Sequence, residues 1–449
     1  MHPLTRHTWC GPEIDLEFEL TANFPLSSNG IHFDTTSCFC RRSGKSRVNA
    51  AVMITSMEGA ISLVAKQAMR AKQRGTYGVG ALLLDGSGQI LQEAHNNVIV
   101  NNILADPTAH AERQLVDWYY AQPRHTVPPA KDITLVTSVD PCCMCAGAVL
   151  VAGFRVIVAA NDTHAGINFD LSATFPSLAS TGLQEVARET ISYPAVTGAS
   201  SFARSASGSP VDKKLFTHQS IDYKMLEKCN STFEETLAVI KNKVYNDIPS
   251  DHLLDISKLP SSHPIIGALK KTYPQALQYR TSSRHSPDAG LAKYLKAAIH
   301  LDIANGGYGN AVALLDYFGN LILCAAGNQH RSPIHTAFMR CTRLYSKLRA
   351  SLSSFPGVEK YLHPPRFGTF IFAIGPDHSA RSFMDFGAYG STIEGPLPAS
   401  NPFQFQYVRP SLPQEKMKWL CSRLPPLYSQ EIRVNPTQVT DRMLIEAIG

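Results

Sequence analysis

The sequence predicts an α/β protein: two copies of one mixed sheet with helices on both faces, each a three-layer α/β/α domain, the second copy stripped of its reactive side chains. Two observations carry that expectation. The first is the order of elements between residues 61 and 159; the second is the return of that order from residue 291 onward. A third, a cluster of His, Glu and Cys, falls in the first copy alone.

Ile61, Val64, Ala65, Ala68 and Met69 recur at helical spacing and predict a helix that buries one face. Gly75-Thr76-Tyr77-Gly78 ends it. Residues 79–84 are an apolar run of strand length, and Asp85-Gly86-Ser87-Gly88 turns the chain into a second strand over 89–93, a hairpin signal. A loop with Asn96, Asn97, Asn101 and Asn102 leads to a helix near His110. A buried strand over 133–137, a helix at the cysteines and a strand over 155–159 follow. That order suits one sheet covered on both faces.

Two short stretches hold the chemistry. Asp106-Pro107-Thr108-Ala109-His110-Ala111-Glu112 is answered by Asp140-Pro141-Cys142-Cys143-Met144-Cys145-Ala146-Gly147-Ala148. Asp-Pro ahead of a helix-forming run is a helix-start signal, because Asp accepts from a free backbone N–H and Pro lacks the N–H that would be orphaned. Both sets are therefore expected in first turns, where the positive end of the helix dipole favours thiolate over thiol. Cys142 and Cys145 point from one face at that spacing. With His110 they make three zinc ligands and leave the fourth tetrahedral position open, as catalytic rather than structural sites do. Glu112 then stands beside the metal without binding it, placed to relay a proton. The competing reading is a structural cluster that recruits Cys143 or a ligand from elsewhere. The coincidence of His-x-Glu, a proline before the first cysteine and two helix starts favours catalysis.

This pair of stretches resembles the cytidine/deoxycytidylate deaminase superfamily. It is most similar to the tRNA adenosine deaminase branch, with guanine deaminases next, over about residues 61–170. The resemblance implies the same three-layer fold, one Zn2+ per chain on His110, Cys142 and Cys145, and Glu112 as the catalytic proton relay. It implies hydrolytic loss of ammonia from the amine-bearing carbon of adenine or cytosine. An asparagine before the His helix is expected to contact the base; Asn97 is that residue, with Asn96 close behind. Adenosine to inosine in tRNA or a related RNA is the leading substrate. The alternatives are a deaminase of a free base, nucleoside or nucleotide of guanine or cytosine type, or of single-stranded DNA, and a zinc-stabilised nucleic-acid-binding protein without catalysis. The intact Glu112 argues against the last.

From Leu291 the first copy is written again. Leu291, Tyr294, Leu295, Ala298 and Ile299 repeat the apolar set of the first helix at a shift of 230, and Asp316, Gly319 and Asn328 repeat Asp85, Gly88 and Asn97 at 231. Ser332-Pro333-Ile334-His335-Thr336-Ala337 keeps a histidine but puts Ala337 at the place of Glu112. Gly375-Pro376-Asp377-His378-Ser379-Ala380 keeps the proline and loses both thiols. No zinc site of the family type is expected there, and His335 and His378 read as hydrogen-bonded histidines. The resemblance implies that this copy pairs with the first within the chain, as a non-catalytic partner lining the substrate channel.

The expected domains are an N-terminal segment of unknown role (1–60), a zinc-dependent deaminase domain (61–195), a Ser/Gly-rich linker (196–212), a helical connection (213–290) with an amphipathic helix near 223–244, and the degenerate copy (291–449). Cys38-Phe39-Cys40 reads as two free or buried thiols, since no matching pair stands near. At 449 residues and 44% hydrophobic the chain has length for two or three cores. Ten cysteines do not form a disulfide framework, and no apolar run approaches a membrane span. Met1 to Cys10 has no signal-type apolar stretch, so the expected location is the cytoplasm. The net charge of +6, with basic residues at Arg41, Arg42, Lys45 and Arg47 and at Lys66, Arg70, Lys72 and Arg74, leans towards nucleic acid as partner but equally fits solvated faces. A homodimer is left open.

Overall fold

The computed structural model describes residues 53–170, 174–198, 216, 219–244, 248–395, 397 and 404–449. Residues 51–449 form one compact unit. The Cys38-Phe39-Cys40 pair, the first basic cluster and most of the Ser/Gly-rich stretch lie outside the described residues.

Helix α1 (Met57–Gln73) starts at Ser56, whose hydroxyl accepts from the Gly59 N–H, and its chain reverses at Gly75, φ +74°. It buries Ile61, Val64, Ala65 and Ala68, as their spacing predicts, while Met69 is only partly covered. Strand β1 (Gly80–Leu84) is wholly buried and turns at Asp85, which accepts from the N–H groups of Ser87 and Gln89, into β2 (Ile90–His95). The asparagine-rich loop is a small ribbon of β3 (Ile99–Val100) and β4 (Ile103–Leu104). Its turn residues Asn101 and Asn102 both take the left-handed conformation that Asn tolerates. After it come α2 (Ala111–Ala121), β5 (Thr134–Val139), α3 (Cys143–Ala152), β6 (Arg155–Ala160), α4 (Thr181–Thr190) and β7 (Ile191–Ser192). Strand β8 (Val196–Thr197) pairs with β9 (Ile221–Asp222), which leads into α5 (Tyr223–Val244) and then α6 (Pro264–Thr272).

The second half runs α7 (Ala292–Ala304), β10 (Ala311–Leu315), β11 (Leu321–Ala326), α8 (Ala337–Ser351), β12 (Thr369–Ile374), α9 (Ala380–Thr392), β13 (Phe405–Arg409), α10 (Gln414–Ser422), β14 (Thr437–Gln438) and α11 (Arg442–Ile448). The two sheets, β2-β1-β5-β6-β7 and β11-β10-β12-β13-β14, have the same strand order. In each the first two pairings are antiparallel and the last two parallel. Even the hairpin irregularity is copied: the register shifts between Leu83 and Leu84, where Leu84 faces Ile90, and between Leu314 and Leu315, where Leu315 faces Leu321. Each equivalent residue is displaced by 231. A bulge at one place in both hairpins is the mark of one ancestral unit.

Alternation along the strands sets the layers. Leu82 and Leu84 face a core with α1 and α5, while Ala81 and Leu83 face the opposite side. In the second sheet Ala311, Ala313 and Leu315 face α7 and α11, and Val312 and Leu314 face the opposite side. Those two opposite sides form one continuous core, in which α2 and α3 meet α8 and α9. The paired halves therefore share a hydrophobic centre.

The closest approach in that centre is α3 against α9. Helix α3 carries no charged residue and is apolar all round, so it must be enclosed on every side. A Cβ at Gly147 would lie 2.6 Å from the carbonyl of Ala380 and from the backbone of Met384; one at Gly387 would overlap the backbone of Met144. Helix backbones meet this closely only where a side chain is absent on both. Met144 sits between the two candidate ligand cysteines, so α9 buttresses the ligand helix directly. Gly387→Leu is expected to destabilise the chain by about 3 kcal/mol, measured by denaturant unfolding, because no flexible atom can move aside. The same substitution at exposed Gly182 in α4, which has open space around it, should leave stability nearly unchanged.

Candidate active site and metal centre

His110 caps the start of α2 and Cys142 caps the start of α3, both in extended conformation. The helices begin after these residues, not at the Asp-Pro pairs as the sequence suggests. Asp106 is used in a local turn, accepting from the N–H and hydroxyl of Thr108 at 2.8 and 2.6 Å. Asp140 accepts from the Tyr193 hydroxyl and the Asn168 N–H. The Asp-Pro pairs thus fix the approach to each helix, while the ligand residue itself takes the cap position.

Across this junction His110 Nδ1 lies 3.5 Å from Cys142 Sγ and 3.5 Å from Cys145 Sγ. The three donor atoms fall within 4.8 Å of one another. Tetrahedral zinc, with Zn–S of about 2.3 Å and Zn–N of about 2.0 Å, needs an S···N separation of about 3.5 Å, so the donor set fits the metal in kind and spacing. Among the described residues this is the one group of three that could hold a metal ion. A hydrogen bond from Cys145 draws the Cys142 thiol well below its ordinary value, with His110 assisting against burial. Burial and the Cys142 charge push Cys145 well above its own. Burial alone would lower His110, but the adjacent Cys142 charge and hydrogen bond raise it overall.

Glu112 stands in the first turn of α2, buried, with Oε1 accepting from the Thr137 hydroxyl on β5 at 2.8 Å. Burial, then the Cys142 charge, raises its pKa; the Thr137 bond opposes. His110, Glu112, Cys142 and Cys145 all line one cavity of about 140 Å³. Asn97, the expected base contact, does not line it: its amide donates to the His95 carbonyl at 3.2 Å and to Gln114 Oε1 at 2.9 Å. Asn96 does. Its oxygen accepts from Thr76 and from the Val98 N–H, which leaves the N–H2 as the group it offers to the cavity. The Gln114 bond holds the Asn97 side chain against α2 while its neighbour lines the cavity.

Sequence reasoning missed the far wall. Phe233 and Leu237 of α5 line the cavity, although the helix carries no recognisable motif. Gly390, Glu394, Leu427, Tyr428 and Ile432 come from the second half. The buried Tyr428 phenol is held far above its ordinary pKa by burial and by the charge of Cys142. Gly390 leaves the space its ring fills. The Glu394 carboxylate is paired with Arg349, at 3.1 Å through Nη2. Nothing in Pro425-Pro426-Leu427-Tyr428-Ser429 signals this role in sequence.

In the second half His335 is hydrogen-bonded, whereas His378 Nδ1 is buried with no partner, contrary to its expectation. The described cysteines are all free thiols. Among the described residues no helix is long and apolar enough to cross a membrane. On α1 the basic residues are partly neutralised, Arg70 by Glu93 at 3.9 Å and Lys72 by Glu235.

Residues 54–161 match the family model for the cytidine and deoxycytidylate deaminase zinc-binding region, so this part of the chain is such a region and zinc is its metal. No curated protein matches the chain. Among solved structures, a tRNA:A34 deaminase of A-to-I editing is 28% identical over 24% of this chain and 79% of that one, with a TM-score of 0.21. The guanine deaminase of Bacillus subtilis is 28% identical over 26% and 70%, with a TM-score of 0.21. That of Nitrosomonas europaea is 15% identical over 42% and 89%, at 0.25.

The neutral Tyr428 phenol within reach of the Cys142 charge is placed to stabilise the thiolate that the metal needs. Tyr428→Phe is expected to weaken zinc binding by about tenfold in chelator competition at neutral pH, with the melting temperature of the metal-free chain little changed.

Proposed function

We propose that the protein is a zinc-dependent hydrolase that exchanges the exocyclic amine of a nucleobase for oxygen and releases ammonia. The observation that carries this reading is Glu112, a buried carboxylate beside His110, Cys142 and Cys145 yet outside the ligand group, in a cavity large enough for a planar ring. A purely structural metal site has no use for it.

His110, Cys142 and Cys145 would hold the metal, and zinc when bound supplies the Lewis acidity that makes water a nucleophile at neutral pH. Glu112 takes a proton from the attacking water and delivers it to the departing amine, so that amino-base and water become oxo-base and ammonia. Its raised pKa suits a group that must both accept and return a proton. Thr137 fixes the carboxylate through Oε1. Asn96 orients the ring through its N–H2, and the apolar wall of Val98, Leu104, Phe233 and Leu237 keeps other water out.

Adenosine in tRNA or a related RNA is the first substrate to test. A second reading, a free base or nucleoside, is favoured by the enclosure of the cavity by α5 and by segments of the second half. The salt dependence of turnover separates them, since a polyanion bound through phosphates loses affinity steeply as salt rises and a free base does not.

Glu112→Gln is expected to cut ammonia release at least about a hundredfold while one zinc per chain stays bound. Turnover that survives would overturn the mechanism. Asn96→Ala should lower kcat/KM about tenfold or more, whereas Asn97→Ala should stay within about threefold of the parent chain. The reverse ranking would return the base contact to Asn97.

A further inference from the structure

His335 holds in the second copy the place of Ala109 in the first, its carbonyl accepting from the Asn328 N–H as that of Ala109 accepts from Asn97, while Thr336 takes the cap position of His110. The His335 Nε2–H donates across the halves to Asp117 on α2, at 3.0 Å. Asp117 is one corner of a partly buried charge cluster. Arg113, 3% exposed, pairs with Asp117 and with Asp106 at 3.3 Å, and donates to the Thr108 carbonyl. From α8, Arg343 lies 3.2 Å from Asp117, 3.6 Å from Asp106 and 3.3 Å from His335 Nε2. Burial opposes ionisation of Asp106 and Asp117, yet the two guanidiniums and Thr108 hold Asp106, and the His335 bond and the same guanidiniums hold Asp117, below the ordinary range. Lys347 borders the cluster, its own charge disfavoured by burial and by Arg343.

The cluster encloses the reactive end of α2. Asp106 and Thr108 belong to the turn that delivers His110, and Arg113 directly follows Glu112. Two carboxylates of the first half thus face one guanidinium of their own and, from the second half, a guanidinium and an imidazole. Removing the imidazole leaves the partly buried Asp117 short of a hydrogen bond, so the helix must shift or admit water. Displacements of that size at a catalytic group cost large factors in rate.

We propose that His335 is a positioning residue: from the second copy it clamps α2 through Asp117 and sets where His110 and Glu112 stand. Its consequence for turnover rests on the deaminase reading; its consequences for metal affinity and for α2 do not.

The test uses the full zinc-loaded chain with His335→Ala and His335→Gln. A glutamine amide can reach Asp117 with an N–H; alanine cannot. Three quantities are measured: zinc affinity by chelator competition, hydrogen exchange over residues 106–117, and kcat and KM on whichever substrate releases ammonia. His335→Ala is expected to weaken zinc binding about tenfold, speed exchange across 106–117 and lower kcat with KM little changed, and His335→Gln to recover each to within about threefold. If His335→Ala does not fold, His335→Asn, whose shorter amide falls short of Asp117, replaces it. Wild-type zinc affinity and exchange in the alanine or asparagine variant would overturn the proposal, as would glutamine performing no better than either. Where no substrate is turned over, the zinc and exchange results decide it alone, so failure of the deaminase reading is seen separately.

Discussion

Backbone meets backbone where α3 crosses α9, and the site depends on that contact. Helix α3 has no polar face, and it brings Cys142 and Cys145 to His110 only while enclosed on all sides. The sheet and α2 cover part of it; α9 covers the rest, at a distance that Gly147 and Gly387 alone permit. A first half without its partner would expose this apolar surface to water, an unfavourable state for a helix that holds a metal site.

The second half then contributes at three depths. At the centre, Met384 and Gly387 fix the ligand helix. At the cavity wall, Tyr428 stands within reach of the Cys142 charge, and the nearby segment is tied to the first half by the Leu427 N–H on the His164 carbonyl at 2.9 Å and by Glu431 on His164 at 3.2 Å. At the flank, His335 and Arg343 hold the charged end of α2. A copy that has lost Glu and both cysteines is thus built into the surviving site as scaffold, wall and clamp. By the starts of α2 and α8 the place of Glu112 falls to Phe338, not to Ala337 as the sequence suggests, and Phe338 is buried in the shared core.

The elements of the first half were legible because each carries its own period. The apolar positions of α1, the apolar run of β1, the strand at β5 and the turn at Asp85 follow from local pattern, and the constant offset revealed the second half. The ligand set and Glu112 were legible because their chemistry demands fixed residue types at fixed spacing. Asn96 was not separable from Asn97, since adjacent residues point to opposite sides and only the structure shows Asn97 held by Gln114 while Asn96 lines the cavity. The starts of α2 and α3 were misplaced because the sequence cannot show that Asp106 and Asp140 already have other donors. Tyr428, Phe233 and His335 owe their roles to tertiary contacts across large sequence separations, which no local pattern encodes.

The central claim is that the zinc site of the first half is completed by the second. The most direct measurement is to place a protease site at residues 245–247, between α5 and the second half, cleave the folded zinc-loaded chain, and follow zinc affinity and ammonia release before and after separating the two pieces. The account predicts that the cleaved but associated pieces behave as the intact chain, that the separated first piece binds zinc poorly and turns nothing over, and that mixing restores both. A separated first piece with undiminished zinc affinity and turnover would contradict it.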